Sequence, residues 1–216
     1  MSSEVNPTQS SYDEVADEYT QRIGGELEHK PLERELLARF AKGISGEIAD
    51  VGCGPGHITR YLHDQGADAF GIDLSSGMIE QAARKNPGIR FEQGDMRALS
   101  SDDNSLGGLV VLYSIIHIPR HDVTRVLREF LRVLKPGGQI LIGFHKGQEI
   151  LHQAEMWGKV VNLDFVFFEP DEMAGYLKTA GFEIVEVIER APYPEVEFQS
   201  HRAYVWARKP AKAVGN

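Results

Sequence analysis

Three glycines at alternate positions, Gly52, Gly54 and Gly56, interrupt the run Glu47-Ile-Ala-Asp-Val-Gly-Cys-Gly-Pro-Gly56 directly after the apolar residues Ile48, Ala49 and Val51. Glycine lets a ligand press against backbone amides because no Cβ blocks the approach, and amides at a helix start favour polar and anionic groups. The segment that follows, His57–His63, has helical spacing. Asp73 closes the next apolar run, Ala69-Phe-Gly-Ile-Asp73. A carboxylate at a strand tip can accept hydrogen bonds from two adjacent ribose hydroxyls. The glycine turn and the acid together predict a site for an adenosine-bearing cofactor.

The elements that must hold these groups follow from periodicity. Tyr12–Arg22 reads as a helix with Tyr12, Val15, Ala16 and Tyr19 on one face, and Pro31–Lys42 as a second with Leu32, Leu36, Leu37 and Phe40 in a stripe. From Glu47 onward strands and helices alternate. Strands are expected at 47–51, 67–73, 89–93, 109–113, 139–144, 182–189 and about 201–208. Helices are expected at about 56–65, 76–85, 122–134 and 171–180, with Ser75 as a cap and Lys135-Pro-Gly-Gly138 as a terminator. Repeated strand–helix–strand units imply a mostly parallel sheet covered by helices on both faces. The link from the sixth to the seventh strand, through Ala191-Pro-Tyr-Pro194, has no helical pattern, so the last strand should run antiparallel. Residues 1–10 and 209–216 should fray.

Composition narrows the class. At 216 residues and 42% hydrophobic, the chain suits one domain with a full core. No apolar run approaches the roughly 20 residues that span a bilayer, and the first ten residues show no secretory pattern. Cys53 is the sole cysteine, which excludes an intramolecular disulfide and fits a cytoplasmic location. A net charge of -9 disfavours nucleic acid as a partner. Arg120, Arg125, Arg128, Arg132 and Lys135 recur at helical spacing and read as a solvated face. A small-molecule partner is expected, with no membrane, in a monomer or homodimer.

The sequence resembles class I S-adenosylmethionine-dependent methyltransferases of the small-molecule type. The residues that carry the likeness are Asp50-Val-Gly-Cys-Gly-Pro-Gly56, Gly71-Ile-Asp73-Leu-Ser-Ser-Gly-Met78, Gln93-Gly94-Asp95-Met96 and Leu134-Lys-Pro-Gly-Gly138, in that order. The resemblance implies a Rossmann-like α/β fold with a seven-stranded, mostly parallel sheet. It implies a helical cap at 1–46 and a catalytic domain at 47–210, with a lid insertion at about 145–170. It also implies S-adenosyl-L-methionine as cofactor and S-adenosyl-L-homocysteine as product. Gly52, Cys53, Gly54 and Gly56 would then pass beneath the methionine part, and Asp50 would organise the loop and face the ammonium. Asp73 would hold the ribose, and Leu74 and Met78 would pack on the adenine. Gly94, Asp95 and Met96 would meet the adenine edge. Tyr113 and Ser114 would lie below the transferred methyl. Tyr12 and Tyr19 would form part of a covering helix, with Arg22 reaching the cofactor carboxylate.

At the acceptor side His117 is the candidate base, since it follows the fourth strand on the carboxyl edge of the sheet. His117 and His121 make a poor metal pair, because Pro119 intervenes and no third ligand follows. The stretch 145–170 is longer than an ordinary connection. Met156, Trp157, Val160, Val161, Phe165, Phe167 and Phe168 make it apolar, and it is expected to be partly helical. His145 and Trp157 within it, and Tyr12, Tyr193 and Arg202 outside it, are candidate acceptor contacts; an inward Arg202 would favour an anionic acceptor. The activity expected is methyl transfer to oxygen or nitrogen, and less so to carbon. The alternatives are a nicotinamide-dependent oxidoreductase, whose glycine pattern is usually G-x-G-x-x-G, and a non-catalytic cofactor-binding module.

Overall fold

The computed structural model describes residues 6–211. The strands are β1 Ile48–Val51, β2 Ala69–Asp73, β3 Phe91–Gln93, β4 Leu106–Leu112, β5 Leu134–His145, β6 Ile150–Met156, β7 Lys159–Val166, β8 Glu183–Arg190 and β9 Arg202–Arg208. The helices are α1 Pro7–Ile23, α2 Pro31–Gly43, α3 His57–Asp64, α4 Ser76–Lys85, α5 Arg120–Val133 and α6 Pro170–Ala180. Seven strands form one sheet in the order β3-β2-β1-β4-β5-β9-β8. The neighbours from β3 to β5 pair in parallel, whereas β9 is antiparallel to both β5 and β8. This is the Rossmann-like sheet with a reversed last strand that the helix-free link before β9 implies.

β4 is buried along its whole length, as a strand covered on both faces must be. One face of the sheet packs against Val123, Val126, Leu127 and Phe130 of α5 and Met173 and Leu177 of α6. The other packs against Leu36, Leu37 and Phe40 of α2 and Leu62 of α3. Among the described residues no helix is long and apolar enough to cross a membrane.

Three expectations need correction. The first helix starts at Pro7, because Asn6 caps it by accepting from the Thr8 N–H at 3.0 Å. Residues 7–10 are therefore helical and not frayed; residues 1–5 and 212–216 lie outside the described residues. The terminator Lys135–Gly138 does end α5, but it lies inside β5, where it bulges between the pairs Leu106↔Leu134 and Gly108↔Gln139. The stretch 145–170 is not partly helical. It is the hairpin β6–β7, a separate two-stranded sheet. Its tip places Trp157 and Gly158 both at positive φ, 52° and 81°, the backbone that a tight two-residue hairpin turn requires. On β7, β-branched Val160 and Val161 and the alternate burial of Val161 and Leu163 favour strand over helix.

A buried polar knot ties α2 to the far side of the sheet. Glu33, 1% exposed, accepts from the hydroxyls of Tyr113 and Tyr204 and pairs with Arg190. Removing one member of such a pair strands the opposite charge without solvent. Glu33→Ala should therefore lower unfolding free energy by about 3–5 kcal/mol in a denaturant titration. Glu33→Gln, which keeps the acceptor oxygen, should lose less.

Candidate active site

A cavity of about 570 Å³ opens at the carboxyl ends of β1, β2 and β4, beneath α1 and the hairpin. That edge is where open α/β sheets gather ligands. Its floor is the turn after β1. The Gly52 and Cys53 N–H groups both donate to the Ile72 carbonyl, at 2.7 and 3.0 Å, which folds the turn against β2. Gly52 has a φ of 77°, and a Cβ there would stand 2.2 Å from the Ser114 Cβ. Gly54 has a φ of 53°, with only the Tyr19 ring near its missing Cβ, so a side chain would project into the cavity itself. Both positions require glycine, one for close packing and one for an open cradle.

Asp73 stands at the tip of β2 with both oxygens engaged. One accepts from the Gly54 N–H at 2.8 Å and the other from the Ser75 N–H at 2.9 Å. Burial raises its pKa, against the lowering effect of those two N–H donors. Each carboxylate oxygen retains a free lone pair, so further donors from the cavity would relieve the desolvation. Asp50 sits differently. It is 1% exposed, accepts from the Thr59 hydroxyl at 2.7 Å, and forms no part of the cavity wall. Burial lifts its pKa to about 6, with the Thr59 hydrogen bond opposing. Asp50 thus braces the start of α3 from beneath the loop.

Tyr19, Gly52, Cys53, Gly54, Asp73, Leu74, Met78, Gly94, Asp95, Met96 and Tyr113 all line this one cavity. So do Tyr12, His117, His145, Trp157 and Arg202. Four of the expected residues do not. Gly56 turns away, its missing Cβ facing the Phe91 ring 2.7 Å off. Arg22 points outward to Glu18 and over Trp157. Tyr193 receives the Leu32 N–H behind the site, and Asp50 is the fourth. Cys53 is buried, which pushes its thiol pKa well up and leaves it a packing residue.

His117 joins two layers of the cover. Its Nδ1 lies 2.9 Å from the Asp164 carbonyl on β7, and its Nε2 lies 2.8 Å from the Tyr12 hydroxyl on α1. A carbonyl can only accept, so Nδ1 carries the proton and Nε2 accepts from Tyr12. Burial drives the His117 pKa down to about 4, with the Asp164 carbonyl opposing, so the ring is neutral near pH 7. Burial and the nearby cations Arg202 and Lys30 lower His145 to about 3.

Sequence reasoning missed the charged back wall. Lys30, Glu26, His57 and Glu197 line the cavity together with Arg202. Lys30 pairs with Glu26 at 2.9 Å and Glu197 at 3.4 Å, and Arg202 pairs with Glu197 at 3.3 Å. Burial alone would raise Glu197, but Arg190, the Tyr193 N–H, Arg202 and Lys30 hold it down to about 2. Lys30 and Arg202 both approach the Tyr113 ring, at 5.3 and 5.5 Å from its centroid. Tyr113 itself carries a φ of 57°, a strained backbone for a non-glycine residue. Only its own left-handed turn at the end of β4, invisible in the sequence pattern, aims the ring at these cations.

Comparison with known proteins agrees with this geometry. Residues 48–138 match the family model described as a methyltransferase domain. A demethylmenaquinone methyltransferase of Renibacterium salmoninarum is 31% identical over 110 residues, 50% of this chain and 46% of that protein. A putative methyltransferase of Bacillus subtilis is 31% identical over 150 residues, 66% of this chain and 58% of that protein. The chain spans about half the length of the curated relatives it matches. Among solved structures, a SAM-dependent methyltransferase from Methanosarcina mazei shares the fold, with a TM-score of 0.68 at 22% identity over 77% of this chain and 93% of that one. The cavity fits the cofactor of that family. Its glycine cradle is open where a Cβ would intrude, and its buried acid keeps lone pairs free for a diol. Residues 48–138 thus match a methyltransferase domain, and the chain is similar in sequence and fold to class I S-adenosylmethionine-dependent methyltransferases.

Proposed function

We propose that this protein transfers a methyl group from S-adenosylmethionine to an oxygen or nitrogen atom of a small-molecule acceptor. The observation that carries the reading is Asp73. It is a buried carboxylate on the cavity wall, fixed by the Gly54 amide, with acceptor capacity to spare. The cofactor, when bound, supplies a methyl on a sulfonium, an already activated leaving group. Asp73 would hold the ribose hydroxyls, Gly52–Gly54 would underlie the methionine part, and Leu74, Met78, Asp95 and Met96 would enclose the adenine. Lys30 and His57 line the cavity whereas Arg22 does not, so they replace it as candidates for the cofactor carboxylate.

The chain's own contribution to the reaction is alignment, exclusion of water and movement of one proton. α1 and the hairpin exclude water. They share a small core of Val15, Val161 and Leu163, and the Asn162 N–H donates to Ser11 Oγ at 2.8 Å. His117 Nε2 is occupied by the Tyr12 hydroxyl, so it does not face the acceptor directly. Tyr12 Oη would take the acceptor proton while passing its own to Nε2, and the Asp164 carbonyl would stabilise the resulting imidazolium through Nδ1–H. Burial keeps the ring neutral near pH 7 and free to accept, and the same burial disfavours the imidazolium, which the Asp164 carbonyl partly offsets.

Three outcomes follow. Asp73→Ala should weaken binding of S-adenosylhomocysteine more than tenfold by calorimetry while the protein stays folded, since two hydrogen bonds to a charged group are lost at about 1.5–3 kcal/mol each. Tyr12→Phe and His117→Ala should each lower turnover of a proton-bearing acceptor about 10²–10⁴-fold. Their double variant should be no slower than either alone, and S-adenosylhomocysteine affinity should stay near wild type. The third outcome concerns acid. A histidine with a lowered folded pKa stabilises the fold above its ordinary value of 6.5, and that contribution is lost as pH falls through about 4. His117→Gln should therefore show a smaller drop in melting temperature than wild type across that interval.

A further inference from the structure

Two apolar paths start at His117 and His145 and end in solvent. The first runs from His117 to Phe165, whose rings are 5.0 Å apart, and on to Leu151, the partner of Phe165 across the hairpin. The second runs from His145 to Phe167, stacked at 4.8 Å, and on to Phe198, which meets the His145 and Phe167 rings edge-on at 6.0 and 6.5 Å. Leu151 and Phe198 both line the cavity, yet they are 39% and 58% exposed. The apolar wall therefore does not stop at the mouth. At its deep end the same compartment is polar, with Tyr113, His145 and Arg202. Across the cavity, beside the glycine turn, Tyr19 meets Tyr12 and Trp157 edge-to-face, so that wall is built of rings that carry polar tips.

A small, fully polar acceptor would leave both paths uncovered, and exposed apolar surface continuous with a pocket marks a binding site. We propose that the acceptor is an amphiphile, with its reactive polar end against Tyr113, His145 and the Tyr12–His117 pair, and a flexible hydrocarbon tail that leaves the cavity between Leu151 and Phe198. The proposal rests on the methyl-transfer reading and names the substrate class for that site. It identifies Leu151 and Phe198 as specificity-determining residues.

The test is calorimetric titration of the whole protein, saturated with S-adenosylhomocysteine, with primary n-alkanols from butanol to decanol. Affinity should rise about fourfold per added methylene, the value of a buried CH₂. Leu151→Ser and Phe198→Ser, both at partly exposed positions, should flatten the rise for the longer alcohols and leave butanol and S-adenosylhomocysteine affinities unchanged. Affinity independent of chain length overturns the proposal. So does a rise that persists undiminished in the double variant, which signals nonspecific partitioning. Light scattering supplies a third arm: a dimer that the double variant converts to monomer would assign the rim to a second copy of the chain and remove the tail. Failure to bind S-adenosylhomocysteine at all would instead sink the methyl-transfer reading, and it is read separately, before any alcohol is added.

Discussion

The hydrogen bond from the Gly54 amide to Asp73 holds this site together. It ties the turn after β1 to the tip of β2, two segments nineteen residues apart in sequence, and fixes the acid while leaving it acceptor capacity. The bond needs a backbone at φ 53° that only glycine adopts without strain. It also needs a neighbouring turn tight enough for the Gly52 and Cys53 amides to reach the Ile72 carbonyl. Ser114 fills the space beneath Gly52, donating to the Val51 carbonyl at 2.6 Å, so the tips of β1, β2 and β4 are locked into one floor.

Above that floor the cover has a different character. α1 reaches the body through Asp13, which accepts from the Ser75 hydroxyl at 2.6 Å and the Gly77 N–H at 2.9 Å at the start of α4. It reaches the hairpin through a core of Val15, Val161 and Leu163, through the Asn162 N–H on Ser11 and through His117. The floor is thus joined by backbone hydrogen bonds at the strand tips, whereas the cover is joined to the body and to itself mainly through side chains.

The cofactor half was legible in the sequence because its determinants are local. The Gly52, Gly54 and Gly56 spacing, the acid ending the next apolar run and the Gly94-Asp95-Met96 turn all lie at the ends of strands whose order alternation predicts, and almost all reach one cavity. Asp50 was misplaced because strand residues alternate faces, and its side chain points under the loop toward Thr59. Arg22 was misplaced because a long cation at a helix end finds Glu18 one turn back. The acceptor half was poorly legible. Lys30 and Glu33 come from one segment and Glu197 and Arg202 from another far along the chain, and all but Arg202 read in sequence as ordinary surface charges. Only packing around Tyr113 and Tyr204 makes them a buried network.

What the sequence by itself determined is the order of strands and helices, the reversed final strand, and the glycine–acid pair on the cavity floor. Each depends on short-range periodicity, turn chemistry or the lack of a crossover helix. The tertiary structure alone decided that the stretch after β5 is a hairpin, and that His117 pairs with the Tyr12 hydroxyl. It alone decided that charges from far-apart segments wall the acceptor space. Those outcomes depend on which side chains share a low-dielectric interior, where an unpaired charge is costly and every buried partner must be found in space and not along the chain.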